Sequence, residues 1–281
     1  MTPLIVAAAF LAASSAGPAP VSVAIGGWSL QPPPHCAVRA AHVAANPLYD
    51  AQSRAELARE PTAILKPDYA NMPAHLRFDL SACYGTEGLF DASLRVLPVA
   101  GYRHILDDGR KPAATMDTQF AALNTWLEKG PDAVADWPMI PFLDMSPQFT
   151  VQRRALRFDG GRGIRVVTQF VPDVGFATSR SISYVFQGLD DEGRQFVLLT
   201  VPLIVDGAAA ADVREHLGFN LDQLERDPDA GRRYERAVDD LVARNGTRPS
   251  LAELDALVEH LQRGVTKGKT RDASGKSKAT P

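Results

Sequence analysis

The sequence contains few cysteines and no hydrophobic run long enough to cross a membrane. Only two cysteines, Cys36 and Cys83, occur in 281 residues, which excludes a disulfide-dense scaffold. The apolar stretch at the N-terminus is shorter than the about 20 residues that a transmembrane helix requires. No G-x-S-x-G motif occurs, so the nucleophile elbow of α/β hydrolases is missing. These absences indicate a globular chain without a transmembrane segment and without an evident catalytic motif.

Basic residues are absent from the N-terminal segment Met1–Ala16, which reads MTPLIVAAAFLAASSA. An apolar core at Leu4–Ala13 followed by small residues is typical of a secretory signal peptide, and we expect cleavage after Ala16, or else after Ala19 or Ala24. The lack of Lys or Arg leaves a buried apolar helix as the alternative. The signal predicts a periplasmic or extracellular protein, and no cysteine follows it closely enough to carry a lipid anchor.

The formal net charge of the chain is only −3, and it is unevenly distributed. Five basic residues and one aspartate lie after position 266, in a segment, 264–281, that we expect to be a disordered basic tail. The rest of the mature chain is therefore more acidic than the total, which disfavours binding to nucleic acid or to an anionic membrane. The tail is a candidate for contact with acidic polymers or headgroups of the envelope.

Cys36 and Cys83 are candidates for one disulfide, because an exported chain folds in an oxidising compartment. The bond would close a loop of roughly 48 residues and contribute about 3–4 kcal/mol. Two separate buried thiols are the alternative. His35, Cys36 and His42 lie close together in sequence, but a zinc site needs three or four ligands and no fourth is evident. We therefore expect neither a metal nor a cofactor.

The clearest strands follow one another in the second half of the chain. Short turns rich in Gly and Asp separate four apolar or alternating runs, which favours an antiparallel meander: 151–158, 164–171, 181–187 and 195–205. The last run is apolar on both faces, which predicts a central strand. The GGRG sequence at 160–163 precedes a strand rather than a helix, so it indicates a tight turn and not a phosphate loop.

Helices are expected before and after these strands in the sequence. Short or medium helices are predicted at 36–45 and 115–129, and three more follow at the C-terminal end: 209–226, 229–244 and one after the capping box Ser250–Glu253. Residues 17–35 are rich in Pro and Gly and predict an extended leader. We therefore expect a single α+β domain over 36–263, with an antiparallel sheet of five or six strands, packed helices and a helical C-terminal part.

Four polar or amphipathic side chains fall on adjacent predicted strands: Arg165, Gln169, Tyr184 and Gln187. If one face of the sheet is open, these groups would line a ligand-binding surface, since binding sites combine apolar walls with a few polar groups. The alternative is an ordinary solvated face with Tyr184 packed in the core.

Two clusters of carboxylates resemble turns more than catalytic pairs. They are 107–109, with the sequence DDG, and 190–193, with the sequence DDEG. Asp and Gly are favoured in turns for backbone reasons, and a glycosidase needs two carboxylates that face each other across a cleft. We therefore assign no catalytic residues from the sequence.

Several blocks resemble, in order, a family of uncharacterised bacterial exported proteins. The blocks are MPAHLRFDL (72–80), LRVLPVAGYRHIL (94–106), IPFLDMSPQF (140–149), GRGIRVVTQF (161–170), ISYVFQGLDDEGRQFVLLTVPL (182–203) and TRPSLAELDALVEHL (247–261). The resemblance implies a secreted or envelope-attached domain, and the family offers no catalytic residues to carry over. Cys83 and the basic tail depart from the family pattern, as does the absence of a cysteine for lipid attachment.

Three hypotheses of function remain open at this stage. The first is an exported, non-enzymatic binding or interaction domain whose partner is unknown. The second is an exported hydrolase whose site is assembled from distant loops, which requires a titratable pair within about 3 Å in a cleft. The third is a structural envelope protein that uses the basic tail.

Overall fold

We describe the fold from a computed structural model of the chain. It describes residues 22–60, 70–86, 90–105, 114–130, 137–138, 140, 145–178, 181–208 and 215–264. The predicted signal peptide at 1–16, the carboxylates at 107–109 and the tail beyond Gly264 lie outside the described residues.

A seven-stranded antiparallel sheet forms the centre of the fold. Its strands are β3 (Arg39–Val43), β4 (His75–Asp79), β5 (Ser93–Pro98), β6 (Ser146–Phe158), β7 (Gly161–Val171), β8 (Ile182–Asp190) and β9 (Gln195–Pro202). Their spatial order is β3-β4-β5-β9-β8-β7-β6. The predicted α+β class is confirmed, but the sheet has more strands than the five or six expected. The central place of β9, between β5 and β8, confirms the interpretation of its two-sided apolar pattern.

Seven helices occur among the described residues. They are α1 (Ala51–Arg59), α2 (Ser81–Tyr84), α3 (Val99–Ile105), α4 (Ala114–Lys129), α5 (Leu221–Arg226), α6 (Pro228–Asn245) and α7 (Leu251–Glu259). The apolar stripe of α6 includes Tyr234, Val238 and Leu241, all buried. Helix α7 begins at the predicted cap, where the Ser250 side chain accepts a hydrogen bond from the Glu253 amide.

The two faces of the sheet are covered by different helices. Val167, Tyr184 and Leu199 pack on one face in a cluster that includes the buried side chains of α6 and α7. On the other face, Val166 and Leu198 pack in a cluster with buried side chains of α3 and α4. The strands in the middle of the sheet are therefore apolar on both faces, because each face is removed from water by a helical layer.

The strands near the N-terminus contradict two predictions, the extended leader and the helix over 36–45. Strands β1 (Val23–Ile25), β2 (Trp28–Leu30) and β12 (Leu261–Arg263) form a small antiparallel sheet, so part of the expected leader belongs to the fold. Residues 39–43 form the edge strand β3 rather than the helix predicted over 36–45. Backbone pairing with β4 outweighs the weak helical preference of this Ala-rich segment.

The helix predicted over 209–226 is replaced, in its described part, by a hairpin and the short helix α5. The hairpin consists of β10 (Glu215–His216) and β11 (Phe219–Asn220). Leu217 and Gly218 occupy its turn with φ of 52° and 81°, which no helix can contain. The turn predicted at the GGRG segment is present but shorter: it consists of Asp159 and Gly160, with Gly160 at φ 74°, whereas Gly161–Gly163 already belong to β7.

Cys36 and Cys83 form a disulfide between the segment before β3 and helix α2. Their Cα atoms lie 4.9 Å apart, at a sequence separation of 47 residues. The bond ties the outer end of the sheet to a helix that also contacts α7, because the Tyr84 hydroxyl donates a hydrogen bond of 2.8 Å to Glu253 Oε1. The pairing predicted from the sequence is therefore present in the structure.

The double substitution Cys36→Ser with Cys83→Ser tests the contribution of this disulfide. We expect the free energy of unfolding to fall by about 3–4 kcal/mol, because the open chain gains loop entropy when it unfolds. Urea denaturation with and without a reductant gives the comparison, and the double variant should not respond to the reductant. Two thiols labelled by a blocking reagent in the unreduced wild-type protein would contradict the bond.

Candidate functional site

The four residues predicted to line a ligand surface are all buried. The exposed fractions of Arg165, Gln169, Tyr184 and Gln187 are 7, 2, 0 and 1%. The open sheet face that the prediction required is covered, because α6 and α7 place their apolar stripes over it. Gln187 pairs with Ile164 and lies on the opposite face from the other three. Tyr184 packs in the core, as the alternative interpretation expected.

The two glutamines hold neighbouring loops in place. Gln169 donates from Nε2 to the Phe176 carbonyl at 3.1 Å and accepts from the Ser181 hydroxyl at 2.6 Å. Gln187 donates from Nε2 to the carbonyl of Ile140. Both amides thus have structural partners under the helical layers.

Arg165 and Tyr184 meet a buried carboxylate that the sequence analysis did not single out. The Tyr184 hydroxyl donates to Asp255 Oδ1 at 3.0 Å, and Arg165 Nε donates to the same oxygen at 3.2 Å. Arg154 Nη1 donates to Asp255 Oδ2 at 2.9 Å. Asp255 is 3% exposed and belongs to α7. Burial, together with the negative charge of Asp255, raises the pKa of Tyr184 well above its usual range, so the phenol remains a donor.

Next to this cluster lies a pocket of about 620 Å³ between β6 and α6, which we call the β6–α6 pocket. Its volume lies within the range of about 300–1,000 Å³ that is usual for small-molecule sites. Five arginines line it: Arg153, Arg154, Arg165, Arg232 and Arg236. Among the described residues of the lining, Glu235 and Asp239 are acidic. Of the residues proposed from the sequence, only Arg165 reaches this pocket.

A bulge in β6 forms one wall of the pocket. The pairing of β6 with β7 shifts register between Val151 and Arg154, and Gln152 has a φ of 53°. Because β6 lies at the edge of the sheet, its outward amides pair with no strand in the part of the chain that the structure describes. Glu235 Oε1 accepts from the Thr150 amide at 2.9 Å, and Asp239 Oδ1 accepts from the Gln152 amide at 3.2 Å. These carboxylates, four residues apart on α6, satisfy the edge and are held by backbone donors.

The arginines of the pocket differ in how fully they are engaged. Arg153 donates to the Thr150 carbonyl at 2.8 Å and stacks over the Trp126 ring, 5.3 Å from its centroid. Arg232 pairs with Asp229. Arg236 is exposed and makes no ion pair with any described residue. The pocket therefore contains guanidinium groups whose charge is not fully compensated.

A second pocket, of about 660 Å³, lies between the small sheet and the end of β4 and β5. Its walls include Trp28, Leu76 and Val96, with Arg263 as the cation. Arg263 is engaged by Asp190 at 3.0 Å and by Glu192, and the latter pair lowers the pKa of Glu192. Asp190 also accepts from the amides at 194 and 195. These carboxylates have structural roles in the β8–β9 turn, as predicted.

Within the described part of the chain, no three His, Cys, Asp or Glu side chains group together as metal ligands. No described helix is long and apolar enough to cross a membrane. Asp255 and Arg236 were missed from the sequence. Asp255 could have been found, because it interrupts the buried side of α7 between Leu254 and Leu257.

The variant Asp255→Asn tests the buried ion cluster. It leaves the guanidinium of Arg165 buried without a counter-charge, so we expect the free energy of unfolding to fall by about 3–5 kcal/mol. Urea denaturation measures the loss. Asp240→Asn, on the exposed side of α6, should change it by less than about 0.5 kcal/mol. Equal effects of the two substitutions would contradict a special role for Asp255.

No protein-family model, curated protein or solved structure matches this chain. The resemblance to bacterial exported proteins therefore stays a prediction from the sequence blocks.

Proposed function

We propose that the protein is an exported binding domain that holds a small-molecule ligand in the β6–α6 pocket. The observation that carries the proposal is a pocket of ligand size in which a buried side chain, Arg165, is held in one orientation by Asp255. A rigid polar group at the wall of a pocket fixes the orientation of a ligand at little entropic cost. The proposed binding surface therefore lies at the sheet edge, whereas the sequence predicts it on the sheet face.

Two features support export. The uncharged apolar segment at 1–16 is typical of a signal peptide. The disulfide between Cys36 and Cys83 is typical of oxidising compartments. Together they favour a periplasmic or extracellular location.

The alternative functions have less support. The pocket carboxylates Glu235 and Asp239 accept from backbone amides of β6, so neither is placed as a free general base. Asp190 and Glu192 both lie against Arg263. A structural role in the envelope rests on the tail at 265–281, and deletion of that segment followed by cell fractionation is its test.

Blocking the pocket tests the binding function. Arg232→Trp places a large ring at the pocket lining, whereas Arg233→Trp changes the neighbouring exposed residue outside it. Each substitution removes one exposed ion pair, so their effects on stability should be similar and small. Native mass spectrometry after incubation with the low-molecular-mass fraction of the extracytoplasmic fluid should show a bound mass for wild type and Arg233→Trp only. Equal retention by both variants would place the ligand elsewhere.

Export is tested by the mass of the protein made in a bacterial host. We expect the mature chain to begin after Ala16, with cleavage after Ala19 or Ala24 as the other sites. Intact-mass analysis of the protein from the periplasm or medium measures this. A protein found in the cytoplasmic fraction with Met1 still attached would refute export.

A further inference from the structure

We infer that the ligand of the β6–α6 pocket carries an oxyanion, a carboxylate or a phosphate group, that is bound by Arg165, Arg154 and Arg236. This inference rests on the proposed function and names the chemistry of the ligand. It depends on the charge balance of the pocket and on one guanidinium nitrogen that is left without a partner.

The charge balance is positive where the ligand would sit. Arg154 and Arg165 share a single carboxylate, that of Asp255, so one of the two positive charges is not compensated. Arg236 adds another, because it pairs with no described acid. Glu235 pairs with Arg153 at 3.9 Å, and Asp239 accepts only from the neutral N–H groups of Gln152. Asp239 therefore offsets part of this surplus without a direct pair, and about one net positive charge remains among the described groups. An anionic ligand would complete the pairing.

Arg165 is oriented for such a ligand in advance. Its Nε donates to Asp255, and its Nη1 donates to the carbonyl of Gln152 in the bulge of β6. Its Nη2 makes no hydrogen bond to a described residue and retains contact with solvent. The Arg165 side chain is only 8% exposed and lines the pocket, so its guanidinium has few ways to reorient. Guanidinium donors match the planar, multidentate geometry of carboxylates and phosphates.

Arg154 and Arg236 supply donors nearer to the surface. The Arg154 side chain is 56% exposed and uses one nitrogen for Asp255, which leaves its other N–H groups for a ligand. Arg236 projects from α6 on the opposite wall. One buried donor and two exposed guanidiniums on separate elements can therefore enclose one anionic group. A neutral or cationic ligand would leave the surplus positive charge unpaired.

Isothermal titration calorimetry of the full mature protein tests the inference, with inorganic phosphate and succinate as separate arms and glucose as the neutral probe. We expect at least one anion to bind, with an affinity that falls as sodium chloride is raised. Arg236→Met should weaken that binding about ten-fold or more, because it removes a charge-assisted contact. Arg154→Met should do the same. Arg165 is left unchanged, because its loss would strand Asp255 in the core.

Arg244→Met is the matched control, because Arg244 is an exposed arginine of the same helix that lies outside the pocket and pairs with no described residue. It should leave the affinity within about two-fold of wild type, since long-range exposed charges are screened. Failure of both anions to bind, or equal weakening by all three substitutions, would overturn the inference. If Arg232→Trp still displaces a native ligand while neither anion binds, the oxyanion is wrong but the binding function stands. If Arg232→Trp does not displace a native ligand and neither anion binds, both the oxyanion inference and the proposed binding function are contradicted.

Discussion

The packing of α7 on the sheet depends on the buried carboxylate of Asp255. This carboxylate brings together α7, which carries it, the strands β6 and β7, which carry Arg154 and Arg165, and β8, which carries Tyr184. A buried ion pair of this kind contributes little net stability compared with a well-packed apolar replacement. Its value in this molecule is positional, because it sets the angle at which one guanidinium faces the pocket. The orientation of Arg165 in the pocket therefore depends on how α7 packs on the sheet.

The residues at the edge of the sheet also have both a structural role and a place in the candidate site. An exposed edge strand invites pairing with other chains, and proteins prevent this with bulges and charged side chains. In β6 the bulge at Gln152 and the carboxylates of Glu235 and Asp239 together occupy the edge. Gln152, Glu235 and Asp239, which occupy this edge, also line the β6–α6 pocket. The arginines of β6 and α6 line the same pocket. A device that prevents aggregation thus provides the wall of the candidate site.

Much of the architecture could be predicted from the sequence because it depends on local patterns. The two-sided apolar run of β9, the turn at Gly160 and the cap of α7 at Ser250 each follow from short-range chemistry. The edge strand β3 and the pairing of β12 with β2 could not be predicted, since they depend on partners far away in the chain. Strands β1 and β2 instead form a local hairpin around Gly26 and Gly27, a signal that the sequence analysis did not use.

In the candidate site, too, local patterns could be predicted from the sequence and contacts between distant segments could not. The sequence predicts Arg165, Gln169, Tyr184 and Gln187 on adjacent strands, and the strands are adjacent, but Gln187 faces away from the other three. Alternation cannot show whether a helix covers that face, so the expected open surface was wrong. Asp255, which pairs with Arg165, and Arg236, which lines the same pocket, lie about 90 and 70 residues further along the chain. Only the packing of α6 and α7 brings them to β6 and β7.

Because Arg153 lies over the ring of Trp126, the fluorescence of Trp126 depends on the position of this guanidinium. Arg153 lines the β6–α6 pocket, yet its guanidinium rests on an indole that belongs to the helical layer on the opposite side of the sheet. Indole emission responds to a nearby positive charge, and Trp126 is one of only three tryptophans in the chain. Any occupant that draws this guanidinium away therefore changes the fluorescence of a residue it never touches, so the empty and filled states can be distinguished without a label.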